Sequence, residues 1–246
     1  MLFNIRFQEL NENKYGYTYW KYCYNQLNYE ANNVALLICD MWDKHWCKPA
    51  QLRTNRLASK MNSLVNFMRS KGVKIIHSPS NVIDYYKNSN ARLSIINIPK
   101  VQLPKEIKHI NPPIPIDDFS SISQSKQPLE NVWTRQHKAI QINNDLDVIS
   151  DDGIEIYRFI YHYNIQLVLV MGIHTNLCVL NRSFGIKQLV KWGINTVLIR
   201  DMTDSLNNPE KTPYVNHNQG RKLIISYIEK YWCPSIIGNE YLKKNI

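Results

Sequence analysis

Two uninterrupted apolar runs constrain the fold most: Val34–Cys39, and residues 166–171 once past the leading Gln166. A strand with one wet face alternates apolar and polar residues. These runs do not alternate, so each must be buried on both faces, as parallel strands between two helical layers are. Segments with helical spacing lie between such runs. Residues 52–72 carry Leu57, Met61, Leu64, Val65 and Met68 at that spacing and end in a cationic turn with a Gly stop. Residues 73–77 read as the second strand and 85–98 supply a short helix. Then come a strand at 131–134, a helix at 149–163 with Ser150 or Asp151 at its N-cap, and a helix at 176–193. A strand at 195–199, an amphipathic helix at 219–231 and a short closing strand at 235–237 complete the series. Repeated strand–helix–strand units imply right-handed crossovers. The expected fold class is α/β, a three-layer α/β/α sandwich around a mostly parallel, Rossmann-like sheet, with residues 1–246 forming one domain.

Two stretches fall outside this alternation. Residues 99–131 hold six of the eleven prolines (Pro99, Pro104, Pro112, Pro113, Pro115 and Pro128), so they are expected to form a long irregular excursion and a candidate lid. Residues 1–30, rich in Tyr and Trp, are expected to form an appended edge or a partner contact, which points to a homo-oligomer.

Composition narrows the function classes. The 246 residues are 44% hydrophobic, enough for a real core. No apolar run is long enough to span a bilayer, and the N-terminus lacks a secretory apolar region, so a cytoplasmic protein without a membrane role is expected. Five cysteines (Cys23, Cys39, Cys47, Cys178 and Cys233), with no CxxC pair, argue against a zinc ribbon or a disulfide framework and leave room for one functional thiol. The net charge of +10 is scattered along the chain, which suits solubility better than nucleic-acid recognition. The expected partner is a small molecule.

Two strand ends carry the chemistry. In open parallel sheets, ligands bind outside the carboxyl ends of the strands. The first run delivers Asp40 there, followed by Trp42, Asp43, His45 and Cys47. The second leads through Gly172 to Cys178, where a helix begins. A thiol at a helix N-terminus is expected to have a lowered pKa, and backbone N–H groups there can hold an oxyanion.

The segment Gly172-Ile173-His174-Thr175-Asn176-Leu177-Cys178-Val179, together with the Asp40 strand, resembles the isochorismatase-like cysteine hydrolases, which include nicotinamidases and N-carbamoylsarcosine amidases. The likeness spans residues 34–201. It implies that Cys178 is the nucleophile, that Asp40 exchanges its proton, and that a cis peptide joins Ile173 to His174 and turns backbone donors toward the oxyanion. A third catalytic residue, a Lys about forty positions before the Cys, is also implied. Lys138 fits by chemistry and Arg135 by its place near a strand end; an Arg cannot release its proton.

Trp42 and Trp133 could form an aromatic wall, with His174 touching substrate. Asp43, His45 and His77 lie near strand ends and are weak candidates for a divalent metal; hydrogen-bonded pocket residues are the more frequent outcome, so no cofactor is expected. The pattern as a whole implies hydrolysis of a C–N bond in a small amide or ureido substrate through a Cys thioester. The alternatives are vinyl-ether hydrolysis, which would not need Cys178, and a catalytically silent ligand- or partner-binding protein of the same fold.

Overall fold

The computed structural model describes residues 1–117 and 132–243. Its centre is an eight-stranded sheet in the order β2-β1-β8-β7-β6-β3-β4-β5. The six strands β3 (Val34–Cys39), β4 (Lys74–Ser78), β5 (Val148–Ile149), β6 (Leu167–Ile173), β7 (Thr196–Asp204) and β8 (Ser235–Ile236) run parallel. The antiparallel hairpin of β1 (Leu2–Glu12) and β2 (Thr18–Asn28) extends the sheet beyond β8, so the N-terminal stretch is an appended edge.

Successive residues of β3 and β6 feed opposite layers. Leu36, Ile38, Leu169 and Met171 meet α1 (Lys48–Ser70) through Ala58, Met61, Leu64 and Met68, together with Tyr241 of α7 (Asn239–Lys243). Ala35, Leu37, Val168 and Val170 meet the second layer: α2 (Asn90–Ile96), α3 (Gly153–His162), α4 (Cys178–Asn181), α5 (Ile186–Lys191) and α6 (His217–Tyr231). The three-layer α/β/α sandwich expected from the doubly buried strands is the observed fold. Among the described residues no helix is long and apolar enough to cross a membrane.

Several elements differ from expectation. Residues 132–134 form no strand; they lie beside the chain after β3 through an isolated bridge, Trp42 to Gln136, and Asn131 is outside the described residues. The edge position goes instead to β5, whose second residue, Ile149, is the first of the segment read as helix. That helix begins later, at Gly153, with the Asp152 side chain accepting from the Ile154 N–H as its cap. The helix read over 85–98 is interrupted: a 3₁₀ turn at Ile83–Tyr86 precedes α2, which Ser89 caps. The helix read over 176–193 splits into α4 and α5. Gly185 lies between them, where a Cβ would meet the Arg182 N at 2.8 Å.

Residues 99–117 form no regular element. They are tied down rather than free: the Tyr227 hydroxyl donates to the Pro112 carbonyl at 2.6 Å, and the His109 ring stacks on Trp232 at 4.3 Å. The remainder of the expected lid, through residue 131, lies outside the described residues.

The chain leaves β3 to build β4 and β5 on one side, then returns to build β6, β7 and β8 on the other. The order therefore reverses between β3 and β6, the position where open α/β sheets form a ligand crevice. Cys39 pairs with Gly172 in that register. Gly172 has φ +133, and a Cβ there would meet the Cys39 carbonyl oxygen at 2.0 Å, so only glycine lets the two strand ends approach this closely.

Candidate active site

Asp40 is the residue after β3 and is fully buried, with φ 48, in the left-handed region. A carboxylate removed from water needs partners. One oxygen accepts from the Ser80 N–H at 2.7 Å and the other from the Arg182 Nε at 2.8 Å. The Cys178 thiol sits against the same carboxyl group and interacts with it electrostatically. Burial drives the Asp40 pKa above the ordinary carboxylate value; Arg182, Ser80 and the thiol oppose the rise.

The Ile173–His174 peptide is cis, as the resemblance implied. The His174 backbone lies close enough to the Cys178 sulfur to oppose part of the rise in its pKa. The thiol's own titration runs opposite to expectation. Burial pushes it well above the ordinary cysteine value and the Asp40 charge adds to this, against a smaller opposing effect of Arg182. The physical reason is the helix: α4 has four residues, too few to sum a useful dipole, and it starts in an apolar wall. Burial thus favours the thiol form of Cys178, beside a carboxyl group that Arg182 and Ser80 help keep ionised.

Arg182 was not among the expected cations. It lies four positions after Cys178, one helical turn on, where i and i+4 residues share a face. That spacing was the available signal. Arg135 and Lys138 do not reach the pair. Arg135 is exposed and its guanidinium donates to the Tyr85 hydroxyl at 3.0 Å; Lys138 is exposed with no ion pair among the described residues.

The metal candidates do not converge. Asp43 accepts from the Thr134 N–H at 2.9 Å and from its hydroxyl at 2.6 Å. His77 is buried between Gln136 and Asp147, each at 3.0 Å. Arg69 completes that cluster, so although burial would raise the Asp147 pKa, its hydrogen bonds hold it below the usual range. No group of three or more His, Cys, Asp or Glu side chains among the described residues could hold a metal ion.

His45 belongs to an aromatic wall instead. Its Nε2 lies 3.2 Å from the His174 Nε2 and its ring centroid 6.4 Å from Trp133, which stacks on Trp42 at 4.3 Å and 12°. Burial lowers His45 to about 4 and His174 to about 3, so both rings are neutral. The Cys47 N–H donates to the His45 Nδ1, which fixes the tautomers. His45 donates through Nε2, leaving the His174 proton on Nδ1, a buried atom that meets no well-aligned acceptor among the described residues. At the end of β7, Asp204 is engaged by Arg53 at 2.8 Å and His217 at 2.6 Å.

Above the pair lies an open cavity of about 360 Å³ lined by Leu177, Cys178, Asn181 and Arg182.

The sequence matches no family model and no curated protein. The structure does have solved counterparts. A cysteine hydrolase from Pseudomonas syringae pv. phaseolicola superposes with a TM-score of 0.58 at 12% identity, over 87% of this chain and 92% of that one. An isochorismatase from Pseudomonas putida gives 0.54 at 8% identity, over 86% and 91%. At such identities the likeness establishes the isochorismatase-like fold.

Proposed function

We propose that this chain is a cysteine hydrolase of the isochorismatase-like superfamily, cleaving a C–N bond of a small amide or ureido substrate through a thioester on Cys178. The observation that carries the reading is the placement of the Cys178 thiol beside a buried carboxylate whose two oxygens are held by Arg182 and Ser80. The fold, with named hydrolases among its solved counterparts, supports it.

Asp40 takes the thiol proton as sulfur attacks the carbonyl carbon. A buried, ion-paired base raised above the ordinary carboxylate value is well matched to a thiol, because the proton must both leave sulfur and return. The carbonyl oxygen becomes an oxyanion facing the backbone donors around Cys178. Asp40 then passes its proton to the nitrogen, the C–N bond breaks, and an amine or ammonia leaves. Water adds to the thioester while Asp40 again accepts a proton; the acid departs and the thiol is restored. Arg182 stays charged throughout and serves as a positioning residue that keeps Asp40 oriented and ionised. Vinyl-ether hydrolysis would leave Cys178 idle, and a silent binding protein would gain nothing from a buried thiol–carboxylate pair.

Ammonia release from a panel of small primary amides and ureido acids tests this. Wild type should turn over at least one of them, Cys178→Ala none, and Asp40→Asn roughly 10²–10⁴-fold more slowly. Equal turnover by Cys178→Ala and wild type would end the reading.

A further inference from the structure

The Arg182 guanidinium is only partly used. Its Nε is committed to Asp40, while Nη1 and Nη2 meet no acceptor among the described residues. The side chain keeps 32% of its surface open, and it lines the cavity over Cys178. That cavity adjoins a second, of about 470 Å³, through the shared residues Leu177 and Asn181. Asn111, Pro112, Pro113 and Lys187 close the second one. Among the described residues, Arg182 and Lys187 are the charged residues lining this double cavity, and no carboxylate lines either half. Asn181 is neutral, and its amide nitrogen is engaged by the Leu177 and Asn176 carbonyls.

A guanidinium with one edge on a carboxylate and its two terminal nitrogens open offers a second planar oxyanion a bidentate seat. We infer that the substrate carries a carboxylate of its own, held by the open end of Arg182, so that one residue both orients the base and reads the charge of the substrate. This inference rests on the hydrolase reading and narrows it to amic or ureido acids over neutral amides. In the bound state the carboxylate lies beside the reacting carbonyl, and Lys187 supplies a second positive charge farther along the cavity.

Matched probes separate the two claims. Amic acids of three to five carbons are compared with the diamides of the same length, by ammonia release with wild type and Arg182→Lys and by calorimetric binding to Cys178→Ala. The expected result is at least about tenfold higher kcat/KM, and tighter binding, for an amic acid than for its diamide. That preference should collapse in Arg182→Lys, which retains one charge but not the paired N–H groups. Diamides that bind and react as well as amic acids would overturn the inference while leaving the hydrolase reading intact. Preferential binding of amic acids to Cys178→Ala without turnover by wild type would support the anion seat and count against the hydrolase. A preference unchanged in Arg182→Lys would also overturn the assignment.

Discussion

Asp40 and Cys178 titrate upward for one shared reason, burial, but from different starting points, and the thiol begins several units higher. Burial therefore favours the proton on sulfur, and in the proposed mechanism Asp40 acts as base only when ionised. Because its folded pKa lies above the ordinary value, kcat/KM should fall as pH is lowered through that raised value and level off above it; Asp40→Asn should remove this acid limb along with the rate. Arg182 is what makes a buried carboxylate tolerable. Arg182→Met leaves Asp40 without its cation, and the expected loss is about 2–3 kcal/mol in urea denaturation, toward the low end for a broken pair because the guanidinium is partly solvated. Asp40→Asn in the same background should recover part of it, the signature of a coupled pair in a double-mutant cycle.

Among the elements, the junction of β3 and β6 does most to place the site. Gly172→Ala would drive a Cβ into the Cys39 carbonyl at a φ that only glycine readily adopts, and should cost ~3 kcal/mol or more, read as a lowered Tm or loss of soluble protein. The wall beside it gives a pH prediction. His45 and His174 are held neutral, with folded values near 4 and 3 against an ordinary 6.5. Above pH 6.5 their protonation costs the fold nothing; below it the unfolded chain binds those protons first, so stability drains away as pH falls to about 4 for His45 and about 3 for His174. The slope is at most about 1.4 kcal/mol per pH unit for each ring. His45→Asn should flatten urea midpoints over that window. Periodicity made the buried strands and α1 legible, and the run from Gly172 to Val179 made the cis peptide and the place of Cys178 beside Asp40 legible. The third charged residue was not, because spacing along the chain pointed upstream to Arg135 and Lys138, whereas the cation that meets Asp40 arrives one helical turn after Cys178. Short elements were lost for a similar reason: β5 has two residues, too few to show any period, and the break at Gly185 depends on a close backbone approach made only in the folded chain.

At the scale of the molecule, the N-terminal hairpin shows how charge is spent. β1 meets β8 at one register pair, Arg6 with Ser235, so side chains must hold the joint. Buried Glu229 does so, bonded to Arg6 at 2.9 Å, to Gln8 at 3.3 Å and to the Ser235 hydroxyl. Glu229→Leu should strand Arg6 and raise amide exchange through β1 and β2 while leaving β3 and β6 protected, which hydrogen exchange would resolve. The hairpin joint and the β3–β6 switch point are thus built on unlike chemistry: a structural ion pair under the first, and at the second the Asp40–Arg182 pair to which the proposed mechanism gives the proton exchange. Trapping the intermediate tests the second most directly. After rapid mixing with a hydrolysed amide and acid quench, peptide mass mapping should find the acyl group on Cys178, transient in wild type and absent from Cys178→Ala. Turnover with no acyl adduct on that peptide, or with the adduct on another cysteine, would contradict the account.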